Sequence, residues 1–303
     1  MASYRANFGD LLEPGLRKIF DDRYDEIPAV FSSIFHVNNS SVDVERDSAV
    51  TGFSLLEQTA EGGAIQYEDS VQMYDVSYVH LKYTKGFKVS EELVEDDRYN
   101  IINKKPAALA RATRRTAEYL AASVFNNAFS SGTGGDGKYL CSYIHPRADG
   151  GTAQSNANTS GITLTETNLN TGLLAMRGQL DDKGMKIGVK ADTLLVSPTL
   201  HKLAVELTGS SLKAGSADND VNYYKGMLKI IDWDWISSTT AWFLIDSSVH
   251  QLNWFWRVRP EFKKDNSFDT GMALFKTRMR CSRGFSDWRG IWGSQGDGAS
   301  YSS

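Results

Sequence analysis

The sequence predicts an α+β protein, and three stretches carry that reading. Lys105 to Phe129 is an alanine-rich amphipathic helix, and Ser40 to Lys88 reads as a long β-hairpin folded about the turn-rich AEGGA at Ala60 to Ala64. The third, Met227 to Pro260 followed by Phe268 to Trp292, is dominated by β-branched and aromatic residues at strand spacing. With 303 residues the chain can bury a large core, as one elaborate domain or as two.

From the N-terminus, Phe8, Leu11, Leu12, Leu16, Ile19 and Phe20 recur at helical spacing, with Pro14 and Pro28 interrupting. One short broken helix followed by an arm is expected, its apolar face covering a surface of its own chain or of a neighbour. In the returning hairpin strand Val71, Met73, Val79, Leu81 and Tyr83 share one face, while Tyr74, Val76 and Tyr78 share the other. A hairpin that is apolar on both faces is marginal alone and needs something to pack on.

Ser90 to Lys105 reads as a short helix with Ser90 as N-cap and Glu91 and Glu92 in its first turn. The long helix then opens at Pro106, whose fixed φ and missing N–H suit a first turn. Leu109, Ala112, Ala117, Leu120, Ala121, Val124, Phe125 and Ala128 form its apolar stripe, and Arg111, Arg114, Arg115 and Glu118 fall mostly elsewhere. Glycines in SSGTGGDG from Ser130 end it and read as a flexible connector. A polar, exposed loop is expected from Lys138 to Gly161. A second helix follows over Thr165 to Leu180, with Leu169, Leu173, Leu174, Met176 and Leu180 on one face and Thr165 or Thr167 as cap. Ala191 to Ser210 reads as a strand at Thr193 to Val196, then Ser197 and Pro198 opening a helix to about Leu207.

No catalytic constellation emerges, and the expectation is a protein that is not an enzyme and uses no cofactor. The glycines of Gly132 to Gly137 follow a helix, whereas a nucleotide fingerprint follows a strand and opens a helix. His36, His80, His145, His201 and His250 show no paired metal spacing, so no metal site is expected. Ser197 and His201 lie four apart, without the GxSxG turn a nucleophilic serine needs. Cys141 and Cys281 read as two reduced thiols. Trp233, Trp235, Trp242, Trp254 and Trp256, with Arg257 and Arg259 nearby, can stack sugars or single-stranded bases, but their alternation more simply places them in a core or subunit interface. Formal net charge is −4, so tight nucleic-acid binding through a basic face is not expected. No secretory signal and no run of apolar residues long enough for a membrane span is read in the sequence, which points to a cytoplasmic site of synthesis and no membrane partner.

This order of elements resembles the major capsid protein of tailed bacteriophages, the Hong Kong ninety-seven-type coat fold, and within it the Mu-like major head subunit branch. The resemblance rests on the hairpin around Glu61 to Asp69, the long helix Pro106 to Phe129, ADTLLVSPTLHKLAVEL at Ala191 to Leu207, and FKTRMRCSRGFSDWRGIWG at Phe275 to Gly293. It implies an N-terminal arm at 1–45, an extended β-hairpin loop at 46–86, and a peripheral domain at 87–190 and 268–295 whose spine helix is 106–129. It further implies an axial α/β domain at 191–267, holding the tryptophan-rich strands, and a C-terminal tail at 296–303. Such a subunit self-assembles through hexamers and pentamers into an icosahedral shell around double-stranded DNA. By the same resemblance, Glu61, Gly62, Gly63, Gln66, Glu68 and Asp69 at the hairpin tip, and Phe8, Leu11, Leu12 and Leu16 in the arm, contact neighbouring copies, while Leu109, Leu120, Val124 and Phe125 form the spine core. Implied partners are further copies of the chain, a portal protein, separate scaffolding and decoration proteins, and packaged DNA touched without sequence specificity; the implied location is the virion, after assembly in the host bacterial cytoplasm. Competing readings are another virion protein that forms tubes or scaffold, and an aromatic-rich module for carbohydrate or single-stranded nucleic acid.

Overall fold

In a computed structural model, residues 8–70, 72–90, 101–147, 150–211, 221–267 and 272–301 are described. The chain divides into two units. The first comprises Met1–Glu45, Tyr78–Ala121 and Trp254–Arg283; the second comprises Arg46–Ser77, Ala122–Asn253 and Gly284–Ser303.

The first unit begins with helix α1, Phe8–Asp25. It is continuous, where a helix broken at Pro14 was expected. Pro14 forfeits one backbone hydrogen bond, and the burial of Leu16 and Phe20, each 1% exposed, offsets that loss. Four strands form this unit's sheet in the order β1-β8-β9-β4, where β1 is His36–Asn39, β4 Leu81–Val89, β8 Leu252–Ser267 and β9 Met272–Phe285. Strands β4 and β9 run antiparallel, with Phe87 opposite Phe275 and Lys82 opposite Arg280. Helix α2 spans Ile101–Asn126 rather than 106–129. Pro106 lies inside it and not at its start; at its other end Asn127 to Ser130 are already a turn, consistent with the glycines beyond. Of the short helix expected over Ser90 to Lys105, residues 91–100 lie outside the described residues, and residues from Ile101 on belong to α2. Leu16 and Phe20 of α1, Ile102, Leu109 and Ala110 of α2, Val89 of β4, Phe262 of β8 and Phe275 of β9 pack as one apolar cluster. The Phe20 ring lies 5.4 Å from that of Phe262.

Two charged residues expected off the apolar stripe of α2 are buried. Arg114 stacks over the Tyr24 ring at 3.9 Å and donates to the Tyr24 carbonyl at 3.1 Å, and Glu118 accepts from the Phe31 N–H at 3.3 Å. Each meets a backbone group of the arm, which offsets part of the cost of burying a charge.

The second unit holds a sheet ordered β10-β7-β5-β6, with β5 Thr193–Val196, β6 Lys229–Asp232, β7 Trp242–Ile245 and β10 Ile291–Ser294. β5 and β6 are parallel; β7 is antiparallel to both β5 and β10. Every residue of β5, β7 and β10 is buried, as expected of strands covered on both faces. Helix α3, Glu166–Arg177, is capped by the Thr165 hydroxyl, which accepts from the Asn168 N–H. It can lie close to the sheet because Gly172 has no Cβ; one there would sit 2.8 Å from Leu244 and 3.0 Å from Trp292. Helix α4, His201–Thr208, follows the short 3-10 turn Pro198–Leu200. The tryptophan-rich stretch expected in one sheet is divided: Trp233 and Trp242 belong to the second unit, Trp254 and Trp256 to the first. Finally, β2 (Val44–Val50) pairs with β3 (Gln72–Val79) as a separate two-stranded sheet.

Candidate functional site

The β2–β3 ladder stops at Val50 and Gln72, and residues 51–70 continue beyond it as extended chain without strand pairing. Their tip is a tight turn in which the Gly63 N–H donates to the Ala60 carbonyl at 2.8 Å while Gly62 takes a φ of 76°, the positive φ that favours glycine at this place in a turn. Phe53, Leu55, Leu56, Ile65 and Tyr67 are exposed, Leu56 completely. Residues 50–70 carry Glu57, Glu61, Glu68 and Asp69 and no Lys, Arg or His. This is an apolar and acidic limb whose large side chains its own chain leaves uncovered, the character expected of an interaction surface.

Glu68 is the exception among the tip residues. Its carboxylate accepts from the Ser54 N–H at 2.8 Å, from the Ser54 hydroxyl at 2.7 Å and from Lys183 Nζ at 2.5 Å. The hydrogen bond from Lys183, then those from Ser54, hold its pKa down to about 2. Glu61, Gly62, Gly63, Gln66 and Asp69 are exposed.

The base of the limb rests on the glycine run, which is a packed turn rather than a flexible connector. The Gly134 N–H donates to the Lys138 carbonyl at 2.8 Å, and a Cβ on Gly135 would lie 2.6 Å from the Tyr74 Cβ. Behind it lies a buried polar cluster in the stretch expected to be an exposed loop. His145 Nδ1 lies 2.6 Å from Asp136 Oδ2, and its Nε2 lies 3.0 Å from Asn156 Oδ1. The ring stacks on Trp288 with centroids 4.3 Å apart. Asn156 Nδ2 donates to the Leu140 carbonyl at 2.7 Å, so its Oδ1 is the acceptor, receiving the Ser142 N–H at 2.8 Å. Both imidazole nitrogens thus face side-chain oxygens, Asp136 Oδ2 on one side and Asn156 Oδ1 on the other.

In the first unit, the four-stranded sheet has one face on the apolar cluster and a strongly basic opposite face. Register places Lys82 with Arg280, Thr84 with Arg278, Gly86 with Lys276, and Lys88 with Leu274 on that face. Alternation along β8 adds Arg257, Arg259, Glu261 and Lys263. Glu261 accepts from Arg278 at 2.6 Å and pairs with Lys263 at 3.3 Å. Net charge concealed this surface, but spacing of two in Arg257-Val258-Arg259 and in Lys276-Thr277-Arg278-Met279-Arg280 signals it.

Leu109, Leu120 and Phe125 are buried and Val124 half-buried. Leu16 is taken up by the apolar cluster of its own chain, and the side chains of Phe8, Leu11 and Leu12 lie outside the described residues. Ser197 is buried and donates to the Thr239 carbonyl at 3.0 Å, while His201 faces Asp232 at 3.5 Å, so the two are not paired as nucleophile and base. Trp233, Trp242, Trp254 and Trp256 are buried and Trp235 is half-buried, so four of the five are withdrawn from stacking on a sugar or base. Among the described residues no helix is long and apolar enough to cross a membrane, and no group of three or more His, Cys, Asp or Glu is placed to hold a metal.

A family model described as phage capsid protein matches residues 74–294. A search of curated proteins finds no match. Among solved structures, the fold is similar to a chain of the procapsid of bacteriophage JBD30, with a TM-score of 0.52 and 16% identity over 94% of this chain and 74% of that one. It is similar to a capsid chain of the cyanophage P-SCSP1u, with a TM-score of 0.57 and 10% identity over 88% and 87%. A chain from the JBD30 capsid decorated with minor capsid protein trimers gives a TM-score of 0.54 and 14% identity over 70% and 92%.

Proposed function

The chain belongs to the phage capsid protein family and is a structural protein of the capsid, and from that premise we propose that its copies tile through hexamers and pentamers into an icosahedral shell around the double-stranded DNA of a tailed phage. The carrying observation is the limb at 51–70, with its apolar side chains exposed and its charge wholly acidic. Apolar surface of this kind is stabilised by burial against another molecule, and repetition of one contact around a ring gives closed symmetry. The basic sheet face of the first unit supplies a surface of opposite charge on every copy, which favours a neighbouring copy as the limb's partner. Glu61, Gly62, Gly63, Gln66 and Asp69 then contact the neighbour directly. Phe8, Leu11 and Leu12 are the arm residues assigned to a neighbour; Leu16 serves its own chain's core.

In this reading 1–45 is the arm and 46–86 the extended loop. The peripheral role falls to 87–190 and 268–295, with the long helix as its spine, and the axial role to 191–267. The order of elements supports the Mu-like branch of the Hong Kong ninety-seven-type fold. Assembly takes place in the host bacterial cytoplasm, with a portal protein at one vertex and a separate scaffolding protein. A decoration protein is a further partner, supported by the minor capsid protein trimers on the similar JBD30 capsid. Packaged DNA touches the lining without sequence specificity, as suits a subunit of net charge −4.

Negative-stain electron microscopy with light scattering, on the protein expressed alone and with its neighbouring genes, tests this. Shells, tubes or capsomer rings support assembly, closed shells the full reading; a uniform monomer in both preparations overturns it. Deleting Ala60 to Asp69 is expected to leave a folded subunit that no longer closes shells, and a wild-type yield of shells would remove the limb from the assembly contact.

A further inference from the structure

Beyond the end of the β2–β3 ladder, Glu68 joins the two arms of the limb to each other and to the body of the same subunit. Ser54, on the outgoing arm, gives it both a backbone and a side-chain hydrogen bond, and Lys183 gives it an ion pair. Lys183 is presented by a rigid turn. Asp181 Oδ1 accepts from the N–H groups of Lys183 at 2.9 Å and Met185 at 2.7 Å, and Gly184 supplies a φ of 81°. The adjacent Asp182 is fixed by Arg289 at 2.6 Å, whose guanidinium also donates to the Leu180 carbonyl at 2.9 Å. A firmly held cation thus grips an otherwise exposed limb at one point.

We propose that Glu68 and Lys183 form an intrachain latch that sets the direction of the extended limb in the free subunit and thereby speeds its docking on a neighbouring copy. The assembly half of this inference rests on the shell reading above; the latch itself does not. A limb already pointing one way loses less conformational freedom on docking than one that swings. The pair is 24% and 32% exposed, so water competes for it and the grip can be exchanged rather than permanent. Its chemistry also divides labour at the tip: Glu68 is committed to its own subunit, and Glu57, Glu61 and Asp69 carry the charge available to a partner.

Spin labels on Thr59→Cys and Lys186→Cys in the full unassembled chain report the limb's direction as a distance distribution; the native Cys141 and Cys281 are buried and unreactive by position. A narrow distribution is expected with Glu68 and Lys183 intact. Glu68→Gln and Lys183→Gln are each expected to broaden it and to slow assembly, followed by light scattering, roughly two- to fivefold, the scale of one partly exposed ion pair. The conservative Lys183→Arg, which keeps the cation and leaves the Ser54 hydrogen bonds to Glu68 in place, is expected to keep it narrow. Equal widths in all four proteins overturn the latch, as does a Lys183→Arg distribution as broad as those of the two glutamine variants. A wild-type chain that forms no shells removes the shell reading, while the label distances still decide the latch.

Discussion

The Ser282 hydroxyl lies 3.0 Å from Nδ1 of His80, and the opposite ring nitrogen lies 2.9 Å from the Ser40 hydroxyl. Two neutral hydroxyls hold a buried imidazole between them, at the point where the chain passes from β3 to β4. Burial, the largest influence, pushes the His80 pKa below its ordinary 6.5; nearby Arg280 and Arg257 push the same way, against Glu45 and Asp43. Hydroxyls can donate or accept, so the neutral ring is satisfied in either tautomer.

A pH dependence follows. The folded chain leaves His80 neutral below the pH at which the unfolded chain protonates it, so the unfolded state binds more protons there. The stabilisation is fully present above about 6.5, the unfolded value, and is lost as pH falls through the depressed folded value. Denaturant melts of wild type and His80→Asn between pH 7.5 and 5 should show wild type losing its advantage toward the acid end. Parallel pH profiles would mean the histidine is not buried neutral.

The spine was legible because helical spacing survives in the sequence: Leu109, Leu120 and Phe125 recur as a helix requires, and all three are buried. Arg114 and Glu118 were misplaced because charge alone assigned them to solvent, whereas Tyr24 and Phe31, far away in the chain, supply backbone groups that they meet. The limb and its turn were legible through the glycines at 62 and 63. Its tie to the body was not, since Glu68 and Lys183 are 115 residues apart and no local rule links them. The division of the tryptophans between two sheets depends on strand pairing, which a one-dimensional aromatic pattern does not encode.

Leu120→Asp places an unpaired carboxylate on the buried face of α2, where Leu120 is 7% exposed. The loss of a packed leucine alone costs about 2–5 kcal/mol, as the milder Leu120→Ala should report by chemical denaturation. The aspartate variant is expected to be insoluble or uncooperative in melting. A soluble variant with a sharp transition would mean this face is not the core face.

Arg114→Ala removes a guanidinium that both stacks on Tyr24 and donates to its carbonyl. About 1–3 kcal/mol of stability should go with it, because a buried carbonyl loses a charged donor. Arg114→Lys should recover little, since an ammonium lacks the planar stack. Full recovery by lysine would show that charge alone matters there.

His145 and Asp136 test the polar cluster behind the limb. Asp136→Asn leaves the ring facing a neutral amide, and Asp136→Ala removes the oxygen that Nδ1 meets at 2.6 Å; the alanine variant should be destabilised by about 1–3 kcal/mol, the scale for leaving a buried polar group unsatisfied. Because Gly135 packs on Tyr74, the loss should be accompanied by faster amide exchange in β3. Unchanged exchange in β3 would separate the cluster from the limb.

Charge reversal tests the proposed partner of the limb. The basic face places Lys82 directly opposite Arg280, while the limb carries Glu57 and Glu61 and no cation between residues 50 and 70. Lys82→Glu with Arg280→Glu sets like charges against each other in a limb-to-sheet contact between copies, and a drop in shell yield of about tenfold is expected. The subunit itself should melt normally, because these two side chains lie away from the apolar cluster. Adding Glu57→Lys and Glu61→Lys restores opposite signs, so yield should return toward wild type and its salt sensitivity should reappear. If the four-residue variant assembles no better than the two-residue one, the limb docks elsewhere and the basic face serves another anion.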